Sequence, residues 1–210
     1  MGGNGKTPVV LALVEAAKQR GFKPAVVSRG YGSKAPYYPF VVSSTSQSAE
    51  CGDEPLLIFQ RTQCPVIVDP KRSAACKAAV EQGSDLIICD DGLQHYALQR
   101  DIEIAVIDAQ RGIGNGLCLP AGPLRETASR LTAVDLIVSN GEPLFNATSH
   151  LLQLRASGLR KVRDQQQENS VTEFDAAIAG IGNPPRFFDS LASLGFDCKQ
   201  TISLADHQHL

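Results

Sequence analysis

Apolar residues recur at helical spacing near the start of the chain, at Val9, Val10, Leu13, Val14 and Ala17, and Gly21 follows as a stop. The spacing predicts a helix over residues 7–20, with Pro8 in its first turn, where a missing N–H costs little. Beyond it the pattern switches to short, nearly continuous apolar runs. Residues 24–28, 65–68, 85–89, 102–107 and 134–138 each read as a buried strand, and 37–43 as a further one. Residues 44–48 read as a polar loop, and 54–61 and 71–82 as helices between strands. Strands apolar on both faces, alternating with helices, predict an α/β fold with a mostly parallel sheet covered on both sides.

After about residue 140 the texture changes. Residues 151–154 predict an edge strand and 161–170 a polar, Gln-rich connector, while 175–180, 185–194 and 201–204 repeat strand, helix and strand. The expected organisation is a core over residues 1–145, a connector over 146–170 and a smaller, incomplete second α/β unit over 171–210. A phosphate-binding loop normally follows a strand, yet Met1 stands inside one, so the first strand of the sheet is expected upstream and absent from this chain. Residues 112–123, rich in Gly and Pro, are too long for a simple turn and read as a functional loop.

Composition narrows the class. Of the 210 residues, 43% are apolar and 20% charged, the balance of an ordinary globular protein. A net charge of −2 with scattered Lys and Arg argues against nucleic acid as a partner. The six cysteines are widely and irregularly spaced with no C-x-x-C pair, which disfavours a structural zinc site and suits a reducing, cytosolic compartment. No apolar stretch reaches the roughly 20 residues of a spanning helix.

Gly2-Gly-Asn-Gly-Lys-Thr7 opens the first helix. Glycines let backbone N–H groups approach phosphate oxygens, and the helix N-terminus adds partial positive charge. Gly2, Gly3, Asn4 and Gly5 would cradle a nucleotide's phosphates, Lys6 would reach the outer ones, and Thr7 would offer its hydroxyl to Mg²⁺. Asp90-Asp-Gly-Leu-Gln-His95 follows a strand, and carboxylates at the carboxyl end of a parallel strand lie where ligands bind. Asp90 and Asp91 are therefore candidate Mg²⁺ ligands, the alternative being a solvated turn with a capping Asp. Asp53 and Glu54, in Gly52-Asp-Glu-Pro55, read equally as helix caps or as functional acids. His207 and His209 read as a metal pair, a general base or part of a polar loop, and with Asp206 form a poor zinc signature by themselves. Arg29, Arg72 and Arg125 each stand beside a predicted strand end, where a guanidinium suits phosphate, although any one of them alone is more often a surface residue.

Six motifs occur in one order: Gly2-Gly-Asn-Gly-Lys-Thr-Pro8, Ser28-Arg-Gly-Tyr-Gly32, Gly52-Asp-Glu-Pro55, Asp90-Asp-Gly-Leu-Gln-His95, Pro120-Ala-Gly-Pro-Leu-Arg-Glu126 and Gly180-Ile-Gly-Asn-Pro184. Together they resemble the tetraacyldisaccharide 4′-kinase family of lipid A biosynthesis, from Met1 to the end of the chain. The resemblance implies a P-loop NTPase-like kinase that moves the γ-phosphate of ATP to the 4′-hydroxyl of an acylated disaccharide 1-phosphate. It further implies peripheral association with the cytoplasmic face of the bacterial inner membrane, helped by a hydrophobic helix upstream of Met1. By the same resemblance Asp53 becomes the catalytic base, His207 its assistant, and Arg125 and Glu126 candidates for phosphate contact. Gln208 stands where the family usually has a second His, so His207 and His209 remain alternatives. Two rival readings are a deviant P-loop ATPase switch, which lacks the Asp-Asp-Gly-Leu-Gln-His motif, and an inactive nucleotide-binding remnant.

Overall fold

The computed structural model describes residues 4–144, 149–154, 158–161, 166–168 and 171–204. The first helix, α1 (Lys6–Gln19), buries Val9, Val10, Val14 and Ala17, the stripe that the spacing marks out. It leads into β1 (Pro24–Ser28), every residue of which is buried. Then come β2 (Phe40–Val41), the short α2 (Ser48–Cys51), α3 (Asp53–Thr62), β3 (Val66–Val68), α4 (Arg72–Glu81) and β4 (Leu86–Cys89). These strands form one sheet in the order β2-β3-β1-β4, with β3, β1 and β4 parallel and β2 antiparallel at the edge.

Alternation along the strands sorts the core into two layers. Val26, Val66 and Val68 point to one face, where they pack with Val10 and Val14 of α1, Ile58 of α3, Phe40 and Cys64. Ala25, Val27 and Ile67 point to the other face, against Ala75 and Ala79 of α4. Small alanines on both partners let α4 lie close to the sheet.

A second sheet consists of β5 (Ile104–Asp108), β6 (Leu136–Asn140) and β7 (Ser149–Leu152), all parallel. A cavity of about 1180 Å³ runs between β4 and β5 and opens among Asn4, Lys6, Asp90, Asp91 and Arg125. The four apolar residues of β4 are consequently only half-buried, not enclosed on every side as their unbroken run predicts.

Smaller elements complete the chain. The two-residue strands β8 (Leu159–Arg160) and β9 (Gln167–Glu168) pair antiparallel. The last part pairs β10 (Glu173–Phe174) with β12 (Asp197–Cys198), and β11 (Ala177–Ala179) with β13 (Thr201–Ser203), both parallel across α5 (Pro184–Ser193). Asn183 caps α5 by accepting from the Arg186 N–H, with Pro184 at its first position. Among the described residues no helix is long and apolar enough to cross a membrane.

Candidate active site

The carboxyl ends of β4 and β5, with Asp90 and Asp108, and the N-terminus of α1, with Lys6, line the cavity together, and Asn140 at the end of β6 joins them through Asn4; the carboxyl ends of strands are where open parallel sheets bind ligands. Gly5 precedes α1 with φ +91°, a left-handed conformation, and a Cβ there would lie 2.7 Å from the Asn140 amide nitrogen. Both the backbone and the close approach therefore require glycine. Lys6 is the first residue of α1, and its Nζ donates to Asp91 Oδ1 at 2.6 Å. Arg125 reaches Asp91 Oδ2 at 2.9 Å from the opposite side and donates to Gln94 Oε1 at 3.1 Å. One carboxylate thus gathers two cations beside the phosphate loop.

The turn that holds Asp91 is tight. Asp91 itself has φ +51°, which Asp tolerates better than most residues. A Cβ on Gly92 would meet the Cys89 Cβ at 2.8 Å, so the turn needs glycine next. Behind it, buried Arg72 donates to the Asp90 carbonyl at 3.2 Å. Arg72, a candidate phosphate contact by sequence position, instead braces the strand end from inside, and its Nε is buried with no partner.

The adjacent acids differ sharply. Burial pushes Asp90 up to about 6, helped by the charge of Glu54 and opposed by Lys6. Burial also acts to raise Asp91, but its hydrogen bonds to Lys6 and Arg125 prevail and bring it down to about 2. Burial leaves the Asp90 carboxylate short of compensating positive charge, which a bound cation would supply once the group is ionised, and Mg²⁺ typically takes one or two carboxylates while keeping its waters. Asp90 fits that role better than Asp91, whose oxygens already hold Lys6 and Arg125. Among the described residues no cluster of three or more His, Cys, Asp or Glu forms a self-sufficient metal cage.

A second polar cluster flanks the first. Glu126 accepts from Gln94 Nε2 at 2.9 Å and from the Tyr96 hydroxyl, and Arg130 approaches it at 3.8 Å. Glu126 thereby holds Gln94 and Tyr96, within and just after the Asp-Asp-Gly-Leu-Gln-His segment. Asp53 lies in the first turn of α3, directly after Gly52. Gly52 approaches Tyr31 O and Gly30 Cα, so the Ser28-Arg-Gly-Tyr-Gly32 and Gly52-Asp-Glu-Pro55 loops sit together. The influence of Glu54 on Asp90 places the start of α3 within electrostatic reach of the site. Thr7 is the second residue of α1, and neither it nor Asp53 lines the cavity. Gly2, Gly3, His207 and His209 lie outside the described residues.

Sequence reasoning missed Asp108, Asn140 and Arg186. Asp108 and Asn140 end β5 and β6 and are almost fully buried. Their signal is the one that exposes Asp90, a polar residue closing an apolar strand. Arg186 carries no local signal, because it reaches them from a distant helix.

The family profile of tetraacyldisaccharide-1-P 4′-kinase matches residues 1–210. The tetraacyldisaccharide 4′-kinase of Tolumonas auensis is 54% identical, over 99% of this chain and 64% of the relative. Those of Aeromonas salmonicida and Vibrio cholerae are 50% and 52% identical, over 99% of this chain and 63% and 62% of the relatives. The chain therefore spans less than two thirds of the length of these relatives. No solved structure matches it. A profile match over the whole chain, with relatives half or more identical along it, establishes that this chain belongs to the tetraacyldisaccharide-1-P 4′-kinase family.

Proposed function

We propose that this chain carries the nucleotide-binding and phosphoryl-transfer core of a tetraacyldisaccharide 4′-kinase, moving the γ-phosphate of ATP to the 4′-hydroxyl of the tetraacyldisaccharide 1-phosphate. The observation that carries the reading is the Lys6–Asp91–Arg125 cluster at the N-terminus of α1. Asp91 holds both cations at the loop, and incoming phosphates would share them with it. The loop amides and helix dipole add further positive potential.

Transfer is in line: the acceptor oxygen bonds to the γ-phosphorus as the bond to the β,γ-bridging oxygen breaks. Asp53 takes the hydroxyl proton, with His207 or His209 orienting it. The loose transition state makes positioning and charge stabilisation the main contributions. Asp90, with Thr7, would hold Mg²⁺, which when bound neutralises charge on the phosphates; Asp91 contributes mainly through Lys6 and Arg125. The expected organisation is a core over residues 1–145, a connector and a second unit from residue 171, acting at the cytoplasmic face of the inner membrane as a peripheral protein.

The test is transfer of labelled γ-phosphate to the acylated disaccharide by the purified chain. Labelled lipid that disappears in Lys6→Ala supports the reading. ATP hydrolysis that is indifferent to the lipid would instead favour a switch ATPase.

A further inference from the structure

Arg186 stands on α5, far along the chain from the phosphate loop, yet it reaches the same sheet edge. Its Nη1 donates to buried Asp108 Oδ2 at 3.1 Å, and its Nη2 donates to Asn140 Oδ1 at 3.1 Å. Asn140, 1% exposed, turns its other amide atom toward the loop, where Nδ2 donates to the Asn4 carbonyl at 3.3 Å. The chain of contacts therefore runs from Asp108 to Arg186, to Asn140, to Asn4.

The chemistry of each link fixes the next. A guanidinium only donates, so the amide oxygen of Asn140 must face Arg186. The amide nitrogen is then compelled to face the loop. In a trans peptide C=O and N–H point in opposite directions, so holding the Asn4 carbonyl against Asn140 aims the Gly5 N–H the other way. Gly5 packs directly on the Asn140 amide, which leaves this peptide little room to rotate. The Asp108 carboxylate anchors the relay: its Oδ1 accepts from the Gln110 and Arg111 N–H groups while Oδ2 holds Arg186. Arg111 in turn donates to the Gly182 carbonyl at 2.6 Å, which ties the loop before α5 to the same place.

The geometry points to Arg186 as a positioning residue for nucleotide binding: acting through Asn140, it orients the Asn4–Gly5 peptide so that its N–H serves the phosphates. This rests on the nucleotide reading above. It also gives the Gly180-Ile-Gly-Asn-Pro184 segment a task, namely to start α5 where Arg186 meets Asp108 and Asn140.

The experiment compares ADP and adenosine affinities of the whole chain and its variants by calorimetry. Arg186→Met is expected to weaken ADP about tenfold, the scale of one lost charge-assisted hydrogen bond, and to leave adenosine unchanged. Arg186→Lys, which keeps a donor, should recover most of the difference. Asn140→Asp keeps the packing and a partner for Arg186 but replaces the donor to Asn4 with an acceptor, so it too should weaken ADP selectively. A purely structural role predicts the reverse, an Asn140→Asp variant that pairs with Arg186 and binds ADP normally. Should Arg186→Met fail to fold because Asp108 is left buried and unpaired, the Asp108→Asn/Arg186→Met double variant removes that charge, and the same selective loss is expected. Unchanged ADP affinity in these variants, or equal loss for ADP and adenosine, overturns the inference. No ADP binding by the unsubstituted chain overturns the nucleotide reading itself, and this inference with it.

Discussion

Asp90 and Asp91 are chain neighbours with opposite electrostatic fates, and the difference is measurable. Asp90 is raised by burial to about 6 from an ordinary value of 3.8, so folding favours its neutral form. Its contribution to stability is complete below 3.8 and is lost as pH rises through about 6. Asp91 is lowered to about 2, so its contribution is present above 3.8 and lost only as pH falls toward 2. The two windows do not overlap. Of this pair, Asp90 should therefore make urea midpoints decline between about pH 4 and 6 in the cation-free chain. Asp90→Asn should flatten that decline, and an unaltered profile would refute the assignment. Ionised Asp90 should also bind Mg²⁺ more tightly at pH 7 than at pH 5, readable by calorimetry. Asp53, at the start of α3 and outside the cavity lining, has a different signature. If it accepts the proton, Asp53→Ala lowers kcat by roughly a hundredfold or more, with ATP affinity nearly intact. An equal loss in both would remove it as the base.

At the scale of elements, the layer of α1 and α3 over the first sheet holds the phosphate loop in place. Ile58 of α3 is fully buried against it, so Ile58→Ala should cost about 3 kcal/mol by urea denaturation. A loss under about 1 kcal/mol would mean that the layer is loosely packed. The same elements show what the sequence made legible. The helices around Val14 and Ile58 and the strands at Val26 and Ile67 emerged from periodicity because each buries a regular apolar set. The helix Ser48–Cys51 did not, since Gln47 and Glu50 cap each other reciprocally in a segment with polar composition. The pairing of Leu159–Arg160 with Gln167–Glu168 escaped notice because two-residue exposed strands carry no alternation. Within the site, Lys6, Asp90 and Asp91 were legible because glycine spacing and strand ends mark them. Arg125 was legible as a candidate, but its pairing with Asp91 was not, and Arg72 was misplaced because nothing local tells a buried guanidinium from one that faces phosphate. Asn140 and Arg186 required the fold, since their meaning lies in which strand ends and helix starts it brings together.

For the whole molecule, the two main sheets flank a largely apolar cavity and are tied at its polar mouth. The ties include Asn140 of the second sheet on the loop that starts α1, and Arg125 on the turn that ends β4. A nucleotide seated at that mouth would contact groups belonging to both sheets, so its binding energy should appear as global stability and not as local ordering of one loop. Ligand at about a hundred times its dissociation constant adds about 2.7 kcal/mol to a two-state fold. In a chain of this length each kcal/mol moves the midpoint by about 2–4 °C, which sets the expected rise with ADP at about 5–10 °C. Lys6→Ala should lose most of that rise while keeping a similar midpoint without ligand, because its half-exposed ion pair with Asp91 contributes little alone. Differential scanning calorimetry separates the alternatives. One transition that moves as a unit with ADP means that the mouth joins the sheets into one cooperative body. Two transitions, of which ADP moves only the one containing α1, would mean that the sheets unfold independently and that the Arg125–Asp91 and Asn140–Asn4 contacts do not couple them.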